Sequence, residues 1–263
     1  MLWSSDRTRA DSVRHETKAR EVTDPDKGVR PARPHQKLLD DGRTVREVLT
    51  YTRRGSRLDA KQQRAWDAYA AEWVIPDEAV DEPGFSLESW FGRRAPLIVD
   101  IGGGVGEATA VLAANRPEAN ILALEVWRPG VAESLARVGA AGATNVRFCS
   151  VDALWTLENL VEPESVSEIW TFFPDPWHKT RHHKRRLVTP TNARMIAERL
   201  APGGIWRLAT DWVEYAEQMV EVLDAEPLLS GGVVDRWDER PVTKFERKGL
   251  AKDRVITDLL YRR

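Results

Sequence analysis

The sequence predicts an α/β protein built on a doubly wound, mostly parallel sheet of seven strands. Three observations carry this. Apolar runs of strand length alternate with segments whose apolar residues recur at helical spacing. That order builds a parallel sheet with helices on both faces. The run Leu97-Ile98-Val99-Asp100-Ile101 is followed at once by Gly102, Gly103, Gly104 and Gly106, and then by a helical segment. Strand, glycine loop and helix open a Rossmann-like, nucleotide-binding unit. Finally, successive strands carry an acid at or near the carboxyl end, where such sheets bind their ligands.

Taken in order, residues 1–45 are polar, mixed in charge and interrupted by Pro25, Pro31 and Pro34. They hold too little apolar surface to offset the entropy of ordering and read as a disordered N-terminal tail. Residues 46–263 read as the single folded domain. Arg30, Arg33 and Lys37 suit a polyanion, although a solvated tail is the plainer reading. Arg53, Arg54 and Arg57 form either a solvated turn or an anion contact. Asp59 is placed to cap a helix through Trp66, Tyr69, Ala70 and Trp73 that Pro76 ends. The first strand is Leu97–Ile101 and its helix runs from Ala108 to Ala114. Strand two is Ile121–Leu124, ending in Glu125, with a helix from Pro129-Gly130 through Val138. Strand three is Val146–Cys149, with Asp152 beyond it and a helix over Leu154–Leu160. Strand four is Ile169–Phe173. A helix over Thr191–Leu200 closes at Pro202-Gly203-Gly204 and leads to strand five, Ile205–Ala209, which ends in Thr210-Asp211-Trp212. A helix follows from Val213 to about Leu223. Strands six and seven begin at Val233 and Val255.

The strand-end acids are Asp100, Glu125, Asp152, Asp175 and Asp211. Gathered in one crevice they need cationic or hydroxyl-rich partners. A dinucleotide fingerprint requires a small residue where this chain has Glu107, and a carboxylate there faces the pyrophosphate. This disfavours a nicotinamide dehydrogenase. A glycine loop (Gly102, Gly104, Gly106) ringed by acids suits S-adenosylmethionine, which carries a sulfonium, an ammonium and a ribose. Glu125 is placed for the ribose hydroxyls and Asp152 for the adenine amino group. A bare G-G-G read alone is only a tight turn.

From Phe172 to Arg186 the chain reads F-F-P-D-P-W-H-K-T-R-H-H-K-R-R. A carboxylate held between two prolines, with an aromatic beside it, suits the polar edge of a planar base. The cations that follow suit phosphates, to which they give sequence-independent affinity. Their bland reading is a solvated loop. The totals of 39 basic and 41 acidic residues nearly cancel, so only this local cluster points to a nucleic acid. The adjacent His182 and His183 lack the spacing of metal ligands, and no metal is expected. The single cysteine, Cys149, sits among apolar residues as a core residue and fits a reducing cytoplasm. No signal peptide and no membrane-length apolar run is expected.

With these residues in hand, the chain resembles the bacterial tRNA (guanine-N7-)-methyltransferase family. The stretch F-F-P-D-P-W-H-K-x-R-H-H-K-R-R is close to that family's diagnostic segment. D-I-G-G-G-V-G matches its cofactor loop, and A-T-D-W at Ala209–Trp212 and T-K-F-E at Thr243–Glu246 are further motifs. The resemblance covers about Val48 to the C-terminus. It implies a class I methyltransferase fold, S-adenosylmethionine as cofactor, and methylation of a variable-loop guanine, position 46 in tRNA numbering. It assigns Asp100, Glu125, Asp152 and Asp175 to the methyl donor, together with the loop glycines. Lys179, Asp211, Thr243, Lys244, Phe245 and Glu246 go to substrate. Arg181, His182, His183, Lys184, Arg185 and Arg186 go to RNA, and Asp175 is the catalytic acid. Monomer and homodimer both stay open. The tail is no part of the family core, and Leu250-Ala251-Lys252-Asp253-Arg254 stands where the family often has a Gly-His pair.

Overall fold

The computed structural model describes residues 48–263 apart from 53, 54 and 83, together with the backbone of two short strands further upstream. Those strands, β1 (Lys37–Leu38) and β2 (Thr44–Val45), pair antiparallel with each other. The rest of the expected disordered tail, with Arg30 and Arg33, lies outside the described residues, as do Arg53 and Arg54.

Helix α1 (Ala60–Trp73) starts where the sequence predicts, because Asp59 accepts from the N–H groups of Lys61 and Gln62. The Gln62 side chain returns a bond to Asp59 N–H and completes a capping box. The next two residues form β3 (Val74–Ile75), which pairs parallel with β6 (Val146–Cys149). Among the described residues the main sheet therefore has eight strands, not seven. The extra one is two residues long and follows a helix without a break, so neither length nor alternation announces it. A 3₁₀ turn at Ala79–Asp81 and the short α2 (Leu87–Phe91) lead into the core of the fold.

Strands β4 (Leu97–Ile101), β5 (Asn120–Leu124), β7 (Val166–Phe172), β8 (Leu200–Thr210), β9 (Ser230–Val234) and β10 (Thr257–Arg262) complete the sheet, in the order β3-β6-β5-β4-β7-β8-β10-β9. All neighbours run parallel except β10, which is antiparallel to both β8 and β9. Every residue of β5 is buried, as the apolar run Ile121–Leu124 requires for a strand covered on both faces.

The pleat sends alternate residues to opposite layers. Ile98, Ile121, Ala123, Phe148 and Trp170 pack with residues of α1, α3 (Glu107–Ala114) and α4 (Arg128–Ala140). Val99, Ile101, Leu122, Leu124 and Cys149 pack with residues of α5 (Ala153–Leu160), α6 (Pro190–Arg199) and α7 (Val213–Asp224). Cys149 is buried, as expected of a core residue. A last helix, α8 (Lys244–Leu250), precedes β10 and has no counterpart in the sequence reading. Strand order reverses beside β4, whose neighbours are β5 and β7, so the crevice at the carboxyl ends opens there. No helix among the described residues is long and apolar enough to cross a membrane.

Candidate active site

The glycine loop leaves β4 and enters α3. Gly102, Gly104 and Gly106 all have left-handed backbone, with φ of 74°, 60° and 75°, which favours glycine. At Gly106 a side chain is excluded twice over, because a Cβ would come within 2.8 Å of the Ser134 Cα on α4. The loop is fastened from below and from the side. Ser134 Oγ donates to Gly104 O at 3.2 Å, and Arg137 donates to Val105 O at 3.0 Å.

Asp100 lies beneath this loop. It is buried, and its Oδ2 accepts from Thr109 Oγ1 at 2.6 Å. Burial pushes its carboxyl up to about 6, a rise that the Thr109 bond moderates. Glu125, just past β5, accepts from Gly104 N–H at 2.9 Å and from Trp127 N–H at 2.7 Å. Asp152 caps α5, accepting from Trp155 N–H at 3.0 Å. Thus Asp100 and Glu125 bear on the glycine loop, and Asp152 stands at the start of α5, just past β6, the parallel neighbour of β5. The set fits S-adenosylmethionine. Gly102 has open space where a Cβ would stand, so backbone can approach a ligand, and the carboxylates match its cationic and hydroxyl groups.

The second half of the crevice begins where β7 ends. Phe173 and Trp177, neither of them glycine, have φ of 55° and 44°. These two strained residues bracket Pro174-Asp175-Pro176. Such backbone survives only where the surroundings over-determine it. Here Phe173 N–H donates to Ala209 O at 2.7 Å, and Arg240 lies over its ring. Arg186 donates to Pro176 O at 2.8 Å. Asp175 is exposed at the tip.

The cationic run folds as a 3₁₀ turn, Thr180–Arg185, and divides into two groups. Lys179, Arg181 and Lys184 are exposed. Partial burial and the neighbouring cations, Arg181 first among them, hold the His182 imidazole below its ordinary value. Arg185 turns inward. It donates to Leu49 O at 2.8 Å and Tyr51 O at 2.6 Å, and stacks 3.5 Å from the centre of the Trp177 ring. Trp177 in turn donates to Thr50 O at 3.0 Å. Arg186 is only 1% exposed. It meets Gln218, Glu214 and His183 and lies over the Tyr215 ring. Arg185, Arg186 and Trp177 are thus engaged within the protein, a division that spacing along a charge run does not reveal.

Asp211, at the end of β8, pairs with Arg254 at 2.5 Å. That arginine lies over the Trp212 ring, whose centre is 4.0 Å from the centre of His178. In the T-K-F-E segment Thr243 caps α8 through Glu246 N–H. Lys244 and Phe245 are exposed. Glu246 is buried between Arg236 at 2.7 Å and Arg240 at 2.6 Å, and Arg240 continues to Asp258 at 2.8 Å. Neither Arg236 nor Arg240 draws notice in the sequence, where each is a single cation in a mixed run. Among the described residues no cluster of His, Cys, Asp and Glu is arranged to hold a metal ion.

A family model described as "Putative methyltransferase" matches residues 94–259. A tRNA (guanine-N(7)-)-methyltransferase of Nocardioides sp. is 68% identical over 236 residues, covering 90% of this chain and 95% of that one. One from Cutibacterium acnes is 47% identical over 234 residues, covering 84% and 85%. Among solved structures, the 16S rRNA methyltransferase KamB matches with a TM-score of 0.47 at 17% identity, over 68% of this chain and 94% of that one. The extent and identity of the curated matches show that the chain belongs to the tRNA (guanine-N(7)-)-methyltransferase family.

Proposed function

We propose that this protein methylates N7 of a guanine in tRNA, at position 46 of the variable loop, with S-adenosylmethionine as donor. The observation that carries the reading is the Pro174-Asp175-Pro176 turn, held between two residues of left-handed backbone and following β7, the parallel neighbour of the strand β4 that leads into the glycine loop. Gly102, Gly104 and Gly106 let the backbone close on the donor. Asp100, Glu125 and Asp152 hold its polar groups, and Asp175 faces it from the other side. Bound there, the donor supplies an electrophilic methyl group on a sulfonium.

Guanine N7 already has an in-plane lone pair, so no base has to remove a proton before attack. The protein's task is alignment. Asp175, exposed at the tip of a turn that cannot relax, orients the base and stabilises the positive charge it gains. Asp211 and the segment Thr243, Lys244, Phe245 and Glu246 support the nucleoside. Lys179, Arg181 and Lys184 face phosphates, with His182 beside them. Arg185, Arg186 and His183 contribute by holding the turn in shape. The same reading puts the enzyme in the cytoplasm with its tRNA.

The test is incubation with unmodified tRNA and labelled donor, then nucleoside digestion and mapping of the modified position. The expected product is 7-methylguanosine at position 46. Label in a different nucleoside, in DNA or in small metabolites alone overturns the reading.

A further inference from the structure

The sequence singles out Glu107 only as the residue that spoils a dinucleotide loop. In the structure it has its own partners, far along the chain. Glu107 is the first residue of α3, immediately after Gly106. Its Oε2 accepts the backbone N–H of Lys244, and its Oε1 accepts from Arg247 at 2.7 Å. Both partners belong to α8, and Lys244 N–H is the first donor of that helix. The opposite end of α8 rests on Asp211, where a Cβ added to Gly249 would come within 2.9 Å of the Asp211 Cβ. Helix α8 therefore spans from the glycine loop to the end of β8.

We propose that Glu107 is a positioning residue that sets the first turn of α8, and with it Lys244 and Phe245, at a fixed distance from the cofactor loop. This rests on reading Thr243–Glu246 as a substrate contact. A seven-residue helix has little stability of its own, since such lengths are marginal without tertiary support. Thr243 caps it, but a cap does not fix where the helix sits. Glu246 anchors the inner face to Arg236 and Arg240. Glu107 supplies the link from the outer first turn to the loop that holds the donor. Arg247 is half exposed, so its ion pair is weak. The bond to Lys244 N–H carries the larger share, because a charged acceptor on a backbone donor is among the stronger hydrogen bonds.

The proposal separates Glu107→Ala from Glu107→Gln. Alanine removes both bonds, whereas glutamine keeps an acceptor for Lys244 N–H. In Glu107→Ala the kcat/KM for tRNA should fall about tenfold, the value of one charge-assisted hydrogen bond. Donor Kd should stay within about twofold, and Tm should fall by only a few degrees, the share of one partly exposed hydrogen bond. Glu107→Gln, which keeps the acceptor without its charge, should recover part of the loss. Unchanged tRNA kinetics in Glu107→Ala overturn the proposal. So does a donor Kd weakened as much as kcat/KM, which makes Glu107 part of the cofactor loop alone. Phe245→Ala tests the underlying reading. An unchanged tRNA KM there removes the substrate role of the segment and the proposal with it. A raised KM beside a wild-type Glu107→Ala removes the proposal only.

Discussion

At the ends of β4, β5 and β6 the acids are held by a hydroxyl and by backbone N–H groups: Asp100 by Thr109, Glu125 by Gly104 and Trp127, Asp152 by Trp155. At the end of β8 and in α8 they are held by arginines: Asp211 by Arg254, Glu246 by Arg236 and Arg240. The difference follows from local chain geometry. The donor half is assembled from residues close to their own strands, where a short loop supplies N–H groups at no cost in side-chain order. In the acceptor half Asp211 reaches an arginine 43 residues away, and Glu246 is gripped by two arginines 10 and 6 residues upstream that approach it from a separate segment. Long, planar guanidinium groups can span that gap and bond several acceptors at once. Thus neutral donors, a hydroxyl and backbone N–H groups, meet the acids beside the glycine loop, and charged guanidinium groups meet those of the acceptor half.

The largest expected effect tests the boundary between the halves. Asp175→Asn keeps the turn's shape and removes the charge. Turnover should fall about 10²–10³-fold, as when one electrostatic contact to a developing charge is lost, while donor affinity changes only moderately. Near-normal single-turnover methylation by this variant would remove Asp175 from the chemistry.

A second comparison separates cations of the same run. Arg186→Ala takes away a buried group with several bonds and should cost about 2–4 kcal/mol of stability, read as a lower Tm and denaturant midpoint. Replacing Lys179, Arg181 and Lys184 together with Ala should leave Tm nearly unchanged. It should flatten the salt dependence of tRNA binding by roughly 0.7–0.9 of a slope unit per lost phosphate contact. An Arg186 variant with full stability, or an unchanged slope in the triple variant, breaks the division.

The smallest effect concerns pH. Asp100 has its folded value raised by burial from 3.8 to about 6. Below the unfolded value its proton uptake favours the folded state in full. That stabilisation is lost as pH rises through about 6, where the buried group must carry charge. The span corresponds to at most about 3 kcal/mol. Asp100→Asn lacks the titration, so its Tm should gain on that of the parent between about pH 4 and pH 8. A constant Tm difference across that range shows that Asp100 does not titrate on folding.

The donor half was legible because its signals are local. Glycines follow a strand at once, and acids stand at successive strand ends, so spacing alone points to the loop on which Asp100 and Glu125 bear. The motif Phe172–Arg186 was legible as a unit, but not the direction of its side chains. Arg185 and Lys184 are neighbours in sequence, yet one lies over Trp177 and the other faces solvent. Which of them points inward depends on Leu49 and Tyr51, more than a hundred residues earlier. Helix α8 is not legible because seven residues give no periodicity, and its anchors, Glu107 at the start of α3 and Asp211 just past β8, lie far off in the chain. Strand β3 was missed for its two-residue length.

The buried Cys149 has a use that its place in the core makes available. It pairs with Leu124 of β5 on one side and Ile75 of β3 on the other. Its buried side chain lies under the α5–α7 layer, so a thiol reagent reaches it only when that layer lifts or the sheet beside it parts. Since the chain has no other cysteine, the labelling rate is a one-site clock for opening of the donor half. Slowing of that clock by bound donor can be followed without any tRNA present.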